Sequence, residues 1–157
     1  MNFEKRNSCN YDITFNRKIK YIIIHYTGMK NQKLAIKRLQ SRVAKVSAHY
    51  LISKRGKIFQ MVDDSNIAWH AGVSRWGGDI NLNSKSIGIE LVNNGDETFP
   101  KIQIKSLSRL IKILKKKYRI KKENILGHSD IAPERKKDPG PLFPWNYLAK
   151  IGLTKKS

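Results

Sequence analysis

With 157 residues and a hydrophobic content of 39%, the chain is long enough for one domain with its own core and too short for two. Its 32 Lys+Arg against 12 Asp+Glu give a formal charge of +20, which predicts attraction to anions, although a coding bias toward AT-rich DNA explains the lysines equally well. Cys9 is the only cysteine, which excludes an internal disulfide and any multi-cysteine metal site.

Residues 1–18 are polar and irregular and read as a loosely held N-terminal arm, ahead of a folded domain over residues 19–157. No leader-length apolar run of about 7 to 15 residues is visible near the start, so a cytoplasmic location is expected. "KYIIIHY" (20–26) is β-branched and continuous, the pattern of a strand buried on both faces, and His25 stands at its C-terminal end. The run is far too short to span a bilayer. From 32 to 46, Leu34, Leu39, Val43 and Val46 suggest one face of a surface helix.

"AHYLISKRGKIFQMV" (48–62) reads as a hairpin turning at Lys54-Arg55-Gly56-Lys57. Residues 63–84 show no sustained periodicity and are expected to form a long ordered loop, a class that is usually functional in a compact domain. "SIGIELVN" (86–93) alternates Ile87, Ile89 and Leu91 on one face with Gly88 and Glu90 on the other, as a strand does. Ile104, Leu107, Ile111, Leu114 and Tyr118 mark an amphipathic helix whose lysine-rich far side is solvated. "NILGHSD" (124–130) is a short strand ending at His128, and "WNYLAKIGL" adds a last short helix after a proline-rich loop. Interleaved strands and helices without a repeat predict an α/β class, a mixed central sheet packed by helices.

Two histidines, His25 and His128, thus stand at strand ends, with Asp138 ten residues beyond the second. A catalytic zinc takes three protein ligands and keeps one position open, and this set meets the count. The spacing alone is equally compatible with unrelated side chains. Pro133, Pro139 and Pro141 stiffen the stretch that carries Asp138, which would reduce the entropy lost in fixing its carboxylate. The cations of "ERKKD" beside that carboxylate suit negative charge that develops during a reaction.

"IIIHYTG", "SAHYLI", "AWHAGVSRWGG", "NSKSIGIEL" and "GHSDIAPERKKDPGPLFPW" resemble, in order and spacing, the zinc-dependent N-acetylmuramoyl-L-alanine amidases related to phage T7 lysozyme, AmpD, AmiD and the peptidoglycan recognition proteins. The resemblance runs from about Lys20 to Leu153, and the "RKKDPGPLFPW" ending is similar to the AmiD branch. It implies a T7 lysozyme-like catalytic domain with one Zn2+ on His25, His128 and Asp138, Glu90 as proton acceptor and donor, and Lys136 stabilising an oxyanion. It further implies peptidoglycan or an anhydromuropeptide as substrate, cut between N-acetylmuramic acid and L-Ala. A non-hydrolytic peptidoglycan-binding module is the alternative.

Where T7-like relatives carry a tyrosine, Ala48 stands, so the base role rests on Glu90. His49 is expected to be a buried, hydrogen-bonded histidine and no fourth ligand. Trp69 and His70 are expected to line the sugar-peptide groove. Asn81 departs from the arginine common in AmpD- and AmiD-like sequences, a role Arg75 could take only if its loop folds inward. The AmiD likeness points to the cell envelope, against the cytoplasmic reading above. No nucleic-acid-binding motif and no transmembrane segment is visible, and a monomer is expected.

Overall fold

Consecutive isoleucines at 22 to 24 cannot all face one side of a strand, and the fold gives each side a layer of its own. The computed structural model describes residues 1 and 3–157. Strands β1 (Glu4–Lys5) and β2 (Tyr11–Asp12) precede β3 (Tyr21–Tyr26), helix α1 (Gln32–Gln40), and the pair β4 (Tyr50–Ile52) and β5 (Ile58–Gln60). Then come β6 (Ile67–Ala68), β7 (Arg75–Trp76), β8 (Asp79–Ile80), β9 (Ser86–Leu91), α2 (Lys101–Tyr118), β10 (Ile125–Gly127), α3 (His128–Ile131) and α4 (Trp145–Lys150).

The main sheet has the order β1-β5-β4-β9-β3-β10. Strands β4, β9, β3 and β10 run parallel, while β5 pairs antiparallel with β4 through the expected turn, where Gly56 takes a φ of +79°. This is the mixed, helix-packed sheet that the pattern predicts. Ile22, Ile24, Ile87, Ile89 and Leu91 pack against Ile104, Leu107, Leu110, Ile111 and Leu114 of α2, and Leu148 of α4 joins the same cluster. On the opposite face Tyr21, Ile23 and Leu126 meet Ala71, Leu82 and Ile131, while Leu51 and Phe59 meet Ala35 and Leu39 of α1. Among the described residues no helix is long and apolar enough to cross a membrane.

Two expectations need correction. Helix α1 starts where Asn31 Oδ1 accepts from the Leu34 N–H at 3.0 Å, but it ends at Gln40 and does not continue to Val46. Leu34 and Leu39 lie five residues apart, about 140° around the helix, so they cannot share its buried stripe. The buried pair is Ala35 and Leu39, while Leu34 is 51% and Val43 91% exposed.

The N-terminal segment is not loosely held. Strand β1 extends the main sheet by pairing with β5, and β2 pairs with β6. Arg17 ties the segment to the loop: Nε donates to Asp64 O at 2.8 Å, Nη1 to Asn83 O at 3.1 Å and Nη2 to Ser86 O at 2.9 Å. A polar sequence without periodicity hid this, because the segment is held by backbone groups and by the polar side chains of Ser8, Asn10 and Arg17 in place of an apolar stripe. Arg17→Ala leaves these carbonyls without their donor and should cost about 1 to 3 kcal/mol in denaturant unfolding. A loss within the roughly 0.5 kcal/mol typical of surface changes would show the segment to be loose after all.

Candidate active site

Parallel strands bring their C-terminal ends to one edge of a sheet, and three of them supply this site. His25 lies near the end of β3, Glu90 faces it in register on β9, and His128 follows directly on β10 at the start of α3. His25 and Glu90 belong to the strand positions that alternate with the α2-facing isoleucines, so both project to the other face. Asp138 arrives from the proline-rich loop, whose return is fixed by the Ser129 N–H donating to Asp138 O at 2.9 Å.

His25 Nδ1 lies 3.0 Å from His128 Nδ1 and 3.0 Å from Asp138 Oδ2, and His128 Nδ1 lies 3.2 Å from the same oxygen. Ligand atoms held about 2.0 Å from a tetrahedral zinc would be about 3.3 Å apart, so the spacing fits such an ion closely. The donor set fits as well. Neutral imidazoles that turn nitrogen lone pairs toward each other and toward a carboxylate repel unless a cation or a proton lies among them. All three side chains are buried.

The electrostatics follow from that burial. Desolvation pulls the His25 pKa down to about 4, against the opposing pull of Asp138. Glu90 is the reverse case. Burial, reinforced by the charge of Asp138, pushes its carboxyl well above the ordinary value, and its Oε2 has no hydrogen-bond partner.

A cavity of about 420 Å³ opens over these groups and is lined by His25, Glu90, His128 and Asp138, with Lys136 and Trp69 at its sides. His70 also borders it, but its ring is spent on structure: Nδ1 lies 3.0 Å from His25 Nε2 and Nε2 lies 3.0 Å from Ser86 Oγ. The half-buried Trp69 indole donates to Asp12 Oδ2 at 3.0 Å. Arg75 stands apart: exposed on β7, it donates to Glu134 at 2.9 Å and does not line the cavity. His49 is fully buried outside the trio. Its Nδ1 accepts from the Gly88 N–H at 3.1 Å, and Nε2 donates to Asn66 O at 3.0 Å.

The 63–84 segment contains β6, β7 and β8, which are too short to carry a periodic signal. Reading the sequence missed Arg38 of α1, which lines the cavity, and Arg135, whose Nη2 donates to Ala71 O at 2.9 Å and Val73 O at 2.7 Å. Arg38 lies three residues beyond the buried Ala35, and that spacing was the available signal. Gly88 also has a defined task. A Cβ there would stand 2.4 Å from the His70 ring, so the strand leaves out a side chain to admit the imidazole.

Burial of Glu90 makes a pH prediction for the metal-free protein. A carboxyl whose folded pKa is raised above the unfolded value of about 4.5 contributes stability below that pH and loses it as pH rises through the folded value. Glu90→Gln should therefore gain on the wild type with increasing pH. Parallel denaturation curves of the two proteins from pH 4 to pH 9, with a constant gap, would contradict the burial of a titrating carboxyl.

The N-acetylmuramoyl-L-alanine amidase family (Amidase_2) matches residues 15–141. The chain is 41% identical over 152 residues to the N-acetylmuramoyl-L-alanine amidase AmiD of Escherichia coli K12, covering 87% of this chain and 54% of that protein. It is 44% identical over 109 residues to the 1,6-anhydro-N-acetylmuramyl-L-alanine amidase AmpD of Haemophilus influenzae, covering 68% and 59%. The chain thus spans a little over half the length of these curated relatives. The E. coli AmiD structure, in complex with the substrate anhydro-N-acetylmuramic acid-L-Ala-D-gamma-Glu-L-Lys, superposes with a TM-score of 0.82 at 40% identity, covering 87% of this chain and 58% of that one. With the sheet, the buried trio and the sequence match in agreement, the chain belongs to the N-acetylmuramoyl-L-alanine amidase family.

Proposed function

We propose that the protein is a zinc-dependent amidase that hydrolyses the bond between N-acetylmuramic acid and L-Ala in peptidoglycan or its fragments. The observation that carries this reading is the convergence of His25 Nδ1, His128 Nδ1 and Asp138 Oδ2 within 3.2 Å, beside the half-buried carboxyl of Glu90, whose Oε2 is inaccessible and unpartnered. The named substrate of the AmiD complex, an anhydromuramyl tripeptide, supports the substrate class.

His25, His128 and Asp138 would hold the ion. A zinc bound there supplies Lewis-acid polarisation of the amide carbonyl and lowers the pKa of a water toward about 7. In this reading Glu90 acts as general base and then acid, which its raised proton affinity supports. A carboxyl whose affinity for protons is raised takes one from the attacking water more readily, then returns it to the departing amine of L-Ala. Atoms balance with one water consumed, one carboxylic acid formed and one amine released.

Lys136 lines the same cavity, half-buried, two residues from Asp138. Its ammonium can donate to the oxygen that becomes negative as the carbonyl turns tetrahedral. Trp69, on the cavity wall, offers an aromatic face to the sugar or the stem peptide. Arg38 brings a further cation to the wall, suited to the carboxylates that stem peptides carry. A module that only bound peptidoglycan would have no use for the inaccessible, unpartnered Oε2 of Glu90, whose desolvation costs stability.

Two tests address the reading. Thorough chelation should abolish release of the peptide from isolated sacculi and from an anhydromuropeptide, with zinc restoring it, as followed by mass spectrometry of products. Activity indifferent to chelation would defeat the metal assignment. Glu90→Ala should lose turnover by about 10² to 10⁴-fold while zinc content stays at one ion per chain; near-normal turnover would remove Glu90 from the mechanism.

A further inference from the structure

Each imidazole of the trio is held from behind, and the two holds meet in one place. His128 Nε2 lies 3.0 Å from Ala71 O. A carbonyl only accepts, so Nε2 carries the proton and the neutral ring turns a bare Nδ1 toward His25 and Asp138. The hold on His25 is longer. His25 Nε2 meets His70 Nδ1 at 3.0 Å, His70 Nε2 meets Ser86 Oγ at 3.0 Å, and Ser86 Oγ meets Leu82 O at 2.7 Å.

The last acceptor fixes the direction of that chain. The Ser86 hydroxyl gives its proton to the Leu82 carbonyl and so accepts from His70 Nε2–H. His70 Nδ1 is then left as an acceptor for His25 Nε2–H, and His25 Nδ1 keeps its lone pair. Both rings are thereby set in the tautomer that binds a cation through Nδ1. Outer partners of this kind fix ring orientation and ligand basicity.

The two holding groups, His70 and the Ala71 carbonyl, belong to consecutive residues. Their backbone N–H groups donate to a single atom, Asn83 Oδ1, at 3.0 Å and 2.7 Å. One side-chain oxygen therefore anchors the dipeptide that holds both imidazoles, and Asn83 itself lines no part of the cavity wall.

We propose that Asn83 is a positioning residue, acting through His70 and Ala71 to preset His25 and His128 for a divalent cation. This rests on the metal reading above. The full-length chain would be titrated with zinc against a chromophoric chelator, and the visible absorption of the cobalt-substituted protein recorded alongside. Asn83→Leu, which removes the acceptor at similar size, should weaken zinc binding by about 10 to 100-fold and alter the cobalt spectrum. Asn83→Asp keeps an acceptor oxygen and should restore both.

A purely structural role would lower the melting temperature of the metal-free protein and leave zinc affinity untouched. Wild-type affinity in a folded Asn83→Leu protein overturns the proposal, and so does an Asn83→Asp protein as impaired as Asn83→Leu. If Asn83→Leu does not fold, Ser86→Ala decides, since it breaks only the branch to His25: weaker zinc binding supports the scheme and unchanged binding overturns it. Failure of the wild type itself to bind zinc would instead remove the metal reading, and this proposal with it.

Discussion

Three electron-pair donors crowded within 3.2 Å of one another, buried at the floor of a cavity, form the constraint on which this fold turns. Without a positive centre such an arrangement costs free energy, since like partial charges are pressed together in a medium of low dielectric. The sheet supplies the rigidity that sustains it. β3 and β10 are hydrogen-bonded neighbours, so the residue near the end of one and the residue just past the end of the other are brought side by side. β9 lies on the other flank of β3 and delivers Glu90 beside His25 by register alone. Only Asp138 depends on a loop, and there the chain is stiffened by Pro139 and Pro141 and tied back to α3 through Ser129.

The division of the sheet into two faces separates tasks. One face carries the large aliphatic cluster closed by α2, and the other carries polar side chains set among two smaller clusters. α2 contributes seven cations and no acid over its 18 residues. Those cations therefore lie across the sheet from the cleft, where they can shape the field around the molecule without entering the chemistry. Lys117 is the exception among them, paired with Asp64 at 3.1 Å.

Strong periodicity made the core legible in the sequence. The β-branched run at 22 to 24, the alternation at 87 to 91 and the i, i+3, i+7 spacing from Ile104 are strong patterns, and the structure follows each of them. Of the candidate site, His25 and His128 were legible as residue types at strand ends, while the role of Glu90 came only from the family resemblance. What stayed hidden shares a cause: it rests on hydrogen bonds to backbone groups, which no side-chain pattern reports. Arg17, Asn83 and Ser86 are of this kind, whereas the outer role of His70 rests on its ring contacts with the side chains of His25 and Ser86. Arg75, which could stand in for the arginine absent at position 81 only if its loop folded inward, is instead exposed and paired with Glu134.

The missing side chain at Gly88 has a consequence beyond its own strand. Position 88 gives no atom to binding or proton transfer, yet a methyl group there would strike the ring that steadies His25. In a saturation screen of this gene, that silent notch should rank beside His25, His128 and Asp138 in intolerance, and a survey scoring only reactive groups would pass it over.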